Sequence, residues 1–277
     1  MGPRPVSDES VRLALLAAPA LAVVTAFFLL PMARLVLLGA AGPLGFETYS
    51  AALTTPRYVA SLAATVLLSA GVTAVTLMIS VVAGLFLQRN RFAGRQLLIA
   101  TLTLPLAFPG VVVGFMVIML AGRQGLIGSV TGAFTGQKLV FAYSSAGLFM
   151  GYVYFSIPRV ILTVMAAAEK LDYRLEEAAR SLGASPWQVA RVVILPALTP
   201  ALVAAGAICF ATAMGAFGTA FTLATDINVL PMTIYTEFTL QANIAMAAAL
   251  SVVLGVITWI SLSVARSLTG GTVAAAG

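Results

Sequence analysis

Histidine is absent from this chain, cysteine occurs once in 277 residues, and charged residues make up only 9% of it. A single Cys209, set in an apolar run, rules out a disulfide within the chain. With no histidine beside it, there is no basis for a Cys/His metal site, and no cofactor or catalytic residue is expected. Soluble domains carry roughly a quarter of their residues as charges. Here 61% of the residues are hydrophobic and the mean hydropathy is +1.05, which excludes an ordinary soluble domain and indicates an integral membrane protein. The net charge of +6 does not point to nucleic acid. Its arginines and lysines are scattered between apolar runs rather than gathered on one face, as a membrane surface explains.

A bilayer core of about 30 Å needs roughly 20 apolar helical residues. That rule gives six spans, at about 13–38, 59–87, 97–121, 142–166, 197–222 and 243–265. The first follows Arg4 and Arg12, exceeds the length of a signal-peptide core and lacks a clear cleavage site, so it reads as a retained span. The expected organisation is a cytoplasmic segment 1–12, one transmembrane domain 13–266 and a cytoplasmic tail 267–277. With the N-terminus inside, the inner segments hold Arg4, Arg12, Arg89, Arg91, Arg95, Lys170, Arg174, Arg180, Arg191 and Arg266. The outer segments hold Arg34, Arg57, Arg123 and Lys138. Ten against four, with Arg159 inside a span, accounts for all fifteen and places both termini in the cytoplasm. The outer stretch GRQGLIGSVTGAFTGQK is Gly-rich, but it lacks the spacing of a phosphate-binding loop and reads as a plain loop.

Two positions inside the spans stand out. LPLAFPGVVVGF carries Pro105 and Pro109, each removing a helix hydrogen bond, and Gly110 and Gly114 form a small-xxx-small pair. This segment is either a kinked packing helix or one that lines a path through the membrane, where freed carbonyls are tolerated. Apart from Arg34 near the outer end of the first span, Arg159 is the one charge within a span. It either faces an anionic solute or snorkels and pairs with backbone carbonyls near Pro158. Tyr152, Tyr154 and Tyr235 are further pathway contacts or interfacial anchors.

The polar stretch LEEAARSLGASPWQVARVVILPAL, residues 175–198, interrupts this apolar chain between the fourth and fifth spans. Asp172 is placed to cap a helix running to Leu182, and Gly183 to end it in a left-handed conformation. Glu176 and Arg180, four apart, are expected to pair on the exposed side. Leu171, Leu175, Ala178 and Leu182 form an apolar stripe. Ser185 caps a second helix, Pro186 takes its first position, and Gln188 completes a capping box. The helix-turn-helix module spans 169–196. Its stripe suits the groove of a partner protein, or a lipid surface. A DNA-reading role is excluded by its tether between two spans.

Glu177-Ala178-Ala179, three residues, Gly183, nine residues, then Val193-Ile194-Leu195-Pro196 resembles the EAA motif of bacterial ABC-importer permeases, with Val193 in place of the usual isoleucine. The resemblance covers about 220 residues, from FETYSAAL to the sixth span. It implies an all-α integral membrane fold of six transmembrane helices with a cytoplasmic coupling helix-turn-helix. It also implies an inner-membrane permease without enzymatic activity of its own, paired with a second permease, equal or different. Two cytoplasmic ATPase subunits and an extracytoplasmic solute-binding protein would complete the assembly. Carried over to these positions, Glu177 would meet the ATPase, Ala178 and Ala179 allow close seating, and Gly183 makes the turn. Leu195 and Pro196 set the angle of return to the membrane. Arg159, Tyr154, Pro109 and Gly110 are the expected pathway residues. Within the family the chain looks most like the polyamine, opine and phosphonate branch. The lean is toward an organophosphonate such as 2-aminoethylphosphonate, with sulfate and ferric-iron importers as alternatives. An ion-coupled secondary transporter fits less well, because all nine acids fall in expected loops or ends. A channel or a membrane anchor leaves the capped module unexplained.

Overall fold

A computed structural model describes residues 6–223 and 228–268, the side chains before Leu15 excepted. Arg4, Asp226 and most of the tail expected at 267–277 therefore lie outside the described residues, as do the side chains of Asp8, Glu9 and Arg12. Among the described residues the chain is helical throughout, with no strand. Six helices are long and apolar enough to cross a membrane: Leu15–Gly39, Pro56–Arg89, Gly110–Thr135, Ser145–Glu169, Pro186–Met214 and Ile244–Leu268.

In chain order, α1 (Val6–Val24) and α2 (Leu30–Gly39) are joined by a π-turn at Thr25–Leu29, and α3 (Glu47–Thr54) follows. α4 (Pro56–Arg89) is the longest helix. α5 (Arg95–Thr103) continues as a 3₁₀ turn to Ala107 and is separated from α6 (Gly110–Ala121) and α7 (Leu126–Thr135). α8 (Ser145–Glu169) leads into α9 (Tyr173–Ser181) and α10 (Pro186–Val189). A π-turn at Ala190–Ile194 joins α10 to α11 (Leu195–Met214). α12 (Gly218–Leu223), α13 (Leu230–Tyr235) and α14 (Ile244–Leu268) complete the chain.

The chain divides into two compact units. One comprises Met1–Pro56 and Ile234–Val253, the other Arg57–Thr233 and Leu254–Gly277. In the smaller unit α1 and α2 expose nearly every described side chain, as lipid-facing helices do. Tyr49 of α3 donates to the Val36 carbonyl at 2.8 Å, and its ring lies so close to Gly39 that a side chain there has no room.

In the larger unit the core forms around α4, α8 and α11. The buried face of α4 is Tyr58, Ser61, Thr65, Ser69, Val72, Thr76, Ser80, Gly84 and Leu87, spaced by three or four residues. Small residues on such a stripe let helix backbones approach where lipid supplies no hydrophobic drive. At Gly84 a Cβ would lie 2.8 Å from Val164 Cγ1 of α8, so this contact requires glycine. Buried hydroxyls of α4 also hold the segment before and within α13: Thr65 Oγ1 accepts from Leu230 N at 2.7 Å, and Thr233 Oγ1 donates to Ser61 Oγ at 2.9 Å. The lone Cys209 is buried in this core.

Four expectations are corrected. The third span is not 97–121: the two prolines split that run, and the spanning helix begins at Gly110. The Gly-rich stretch read as a plain loop contains α7, whose glycines let the next segment fold back, Leu139 N donating to Thr131 Oγ1 at 3.0 Å. The fifth span ends at Met214 rather than 222, because Gly215–Phe217 breaks the helix. Glu237 is not a loop acid. It is fully buried in a π-turn and accepts from Asn243 Nδ2 at 3.4 Å.

Two of the π-turns stop two residues before a proline, at Leu29 ahead of Pro31 and at Ile194 ahead of Pro196. Proline cannot donate to the carbonyl four residues back, and a widened turn absorbs the missing bond without ending the helix. The helix from Pro186 therefore runs unbroken to Met214.

Candidate functional site

The polar insert folds as its capping residues dictate. Asp172 accepts from Arg174 N at 3.0 Å and starts α9. Gly183 follows its end at φ +84°, a conformation that a Cβ disfavours. Ser185 and Gln188 form the full capping box, with Ser185 N donating to Gln188 Oε1 at 2.7 Å and Gln188 N to Ser185 Oγ at 3.3 Å. Underneath, Ala168, Val189, Ile194 and Leu198 make a small core on which Leu171 and Ala179 pack.

The outer surface of this module exposes large apolar side chains among its charges. Leu182 is 89% exposed and Trp187 71%, and Leu175 and Tyr173 are also exposed. Glu177 and Ala178 share this exposure, whereas Ala179 and Leu195 are half-buried and Pro196 is exposed. Glu177 and Ala178 lie on α9 and Gly183 in the turn that follows it, and Leu195 and Pro196 lie beyond the π-turn. The expected Glu176–Arg180 pair on the exposed side is corrected. Glu176 is buried, and its main partner is Arg89 at the end of α4, 2.5 Å away, with Arg180 at 3.9 Å. Helix spacing alone reveals only the i,i+4 partner; the arginine comes from 87 residues earlier in the chain.

A second place of interest lies where two broken helices meet. The interruption at Phe108–Pro109 lies beside the one at Gly215–Phe217. Thr219 Oγ1 of α12 donates to the Gly110 carbonyl at 2.9 Å, and Thr222 Oγ1 donates to that of Val111 at 3.3 Å. Tyr152 donates its hydroxyl proton to the Ala216 carbonyl within the break. The Ala216 carbonyl, freed by the break, would be costly unpaired in an apolar setting and is paired by Tyr152, while the two threonines tie α12 to the first turn of α6. A cavity of about 390 Å³ opens here, lined among others by Gly110, Tyr152, Phe155, Ser156, Gly215 and Thr219.

Of the expected pathway residues, Gly110 lines this cavity and Pro109 precedes it as the cap of α6. Arg159 stands one turn beyond the lining residue Phe155, with its guanidinium 5.7 Å from that ring. Tyr154 is exposed and does not line the cavity. Tyr152, Ser156 and Thr219 carry the polar lining. The sequence leaves Tyr152 between pathway contact and interfacial anchor, and nothing in it marks Ser156 or Thr219. No group of three or more His, Cys, Asp or Glu side chains is placed to hold a metal among the described residues.

The family model described as "Binding-protein-dependent transport system inner membrane component" matches residues 77–270. The molybdenum transport system permease protein ModB of Escherichia coli (strain K12) is 32% identical over 224 residues, 78% of this chain and 95% of the relative. A putative 2-aminoethylphosphonate transport system permease protein, PhnU of Salmonella typhi, is 31% identical over 242 residues, 85% of this chain and 83% of its own. A probable sulfate transport system permease protein of Chlorella vulgaris is 41% identical over 132 residues, 48% of each chain. In fold, the chain resembles a chain in the crystal structure of a bacterial alginate ABC transporter in complex with alginate pentasaccharide-bound periplasmic protein. The TM-score is 0.81 at 16% identity, covering 95% of this chain and 96% of that one.

Proposed function

The chain belongs to the family of binding-protein-dependent transport system inner membrane components, and on that premise we propose that α9 and α10 are the point at which an ABC importer's ATPase drives this permease. The observation that carries the reading is the capped module whose outward surface, Leu182 and Trp187 with Glu177 and Ala178 beside them, is apolar and exposed. Rigid capping fixes its shape before docking, which lowers the ordering cost of seating it in a groove. On this reading the module and both termini face the cytoplasm, in keeping with the ten-to-four bias of Lys and Arg. A second permease, two ATPases and an external solute-binding protein complete the importer. The chain performs no bond chemistry. ATP binding draws the ATPases together, the modules move with them, and the spans open outward; hydrolysis resets the inward state.

The solute reading is a small tetrahedral oxyanion, with an organophosphonate such as 2-aminoethylphosphonate the leading member. The relatives above are named for 2-aminoethylphosphonate, sulfate and molybdenum, and molybdenum dissolves in neutral water as the tetrahedral molybdate. The site chemistry agrees: the N-terminus of α6 at Gly110 borders the cavity and favours negative charge. Arg159 is within a turn of its wall. A polyamine, cationic throughout, gains nothing from either.

Reconstitution with the ATPase and binding protein encoded beside it tests both parts. Uptake of 2-aminoethylphosphonate, sulfate, molybdate, ferric iron and a polyamine is measured with and without ATP. ATP-dependent uptake of one oxyanion, lost in Glu177→Ala with the complex still assembled, is the expected result. Uptake driven by an ion gradient without ATPase overturns the reading, and polyamine uptake overturns the solute class.

A further inference from the structure

We infer that Arg89 and Glu176 form a buried clamp through which movement of α9 reaches α4 and α5, a second route of transmission beside the chain connections to α8 and α11. The inference rests on the permease reading above. Glu176 and Glu177 are adjacent on a nine-residue helix yet face opposite ways. Glu177 is exposed and available to a partner. Glu176 has a side chain only 6% exposed, with Arg89 Nη2 2.5 Å from Oε1. A carboxylate this buried is tolerated only when paired. The same guanidinium lies 5.9 Å from the ring of Tyr173, the first residue of α9, so Arg89 grips α9 at two points. The other candidate partner, Arg180, is 3.9 Å away, lies on the same helix and is largely exposed, and it ties α9 to nothing else.

Arg89 ends α4 in a region that is itself fixed on two sides. Two residues back, the Leu87 carbonyl accepts from Arg95 Nε at 2.6 Å, joining the end of α4 to the start of α5. One turn further back, Gly84 packs against Val164 of α8 without room for a Cβ. α5 then leads through its 3₁₀ turn to Pro109 and Gly110 at the cavity. A contiguous chain of contacts thus runs from the docking face, through Glu176, Arg89, Leu87 and Arg95, to the broken helix beside the path. Contiguity alone is not coupling, so the pair must be tested as a unit. Arg89 and Glu176 are positioning residues: neither is placed to touch solute or nucleotide.

The test uses the whole importer in liposomes, with Arg89→Gln, Glu176→Gln and the double variant. The readouts are assembly, ATP hydrolysis rate and solute moved per ATP hydrolysed. A merely structural pair would alter assembly and leave the last ratio intact in whatever complex forms. The expected result is assembled complexes in which each single variant moves about fivefold less solute per ATP, the lower end of typical coupling factors. The double variant should be no worse than either single one. An unchanged ratio in both single variants, or additive losses in the double, overturns the clamp. So does lost assembly that the double variant repairs, which would place the pair in folding. If neither single variant assembles, Arg89→Lys, which keeps the charge without the planar fork, is judged by the same ratio. Wild-type uptake that ignores ATP would instead refute the permease reading, a distinct outcome visible before any variant is made.

Discussion

At the residue scale, the two charges that matter most have different visibility in the sequence. Arg159 is conspicuous because an arginine within a span is costly, and the structure places it one turn from a cavity wall. Replacing it with Gln should lower oxyanion uptake while leaving the assembled complex and its ATP hydrolysis in place. Unchanged uptake would reduce it to an interfacial anchor. Glu176 is inconspicuous, one of two adjacent acids, and nothing in local spacing says that it turns inward to Arg89. Gly183 is the opposite case: its φ of +84° is legible from its place after a capped helix. Gly183→Ala meets no neighbour, since nothing lies within 4 Å of its Cβ position. Its cost is therefore conformational, about 1 kcal/mol, and should appear as reduced uptake per assembled complex rather than as loss of the protein.

At the scale of elements, sequence periodicity located the six spans but misplaced their interruptions. Apolar length is a cumulative signal and survives a local break, whereas the break itself depends on what pairs the freed carbonyls. Pro105 and Pro109 announced one interruption. The other, at Gly215–Phe217, had no proline to mark it and is held by Tyr152 from a different helix. The glycine pair read as a close-approach motif does make one: a Cβ at Gly114 would lie 2.6 Å from Thr222 Cβ, and Gly110 meets Thr219. Gly114→Leu should separate α6 from α12, release the two threonine–carbonyl bonds and abolish uptake. Thr222→Gly in the same background, which removes the Cβ that the new side chain meets, should recover part of it, as uptake and detergent stability both report. The caps of α9 and α10 were the most legible elements, because capping is local chemistry within four residues.

At the scale of the molecule, the membrane sidedness proposed from the charge bias is open to direct measurement. The one native thiol, Cys209, is buried, so a cysteine introduced at Leu182 is the reactive one. In sealed inside-out vesicles Leu182→Cys should label with an impermeant maleimide, and in right-side-out vesicles it should not. The reverse pattern would invert the topology and with it the docking face. Adding the ATPase should protect the same position if the module is seated in it.

The unbroken helix from Pro186 to Met214 also has a mechanical meaning. Its 29 residues make a rod of about 43 Å at 1.5 Å per residue. The π-turn thickens that rod near one end without severing it. A tilt of about 5° about the Trp187 end then sweeps the Met214 end through about 4 Å on that length, more than a hydrogen bond can stretch. Two residues beyond the tip, the Ala216 carbonyl accepts from Tyr152 of α8. On the proposed coupling, a rock of that size would be enough to break this bond.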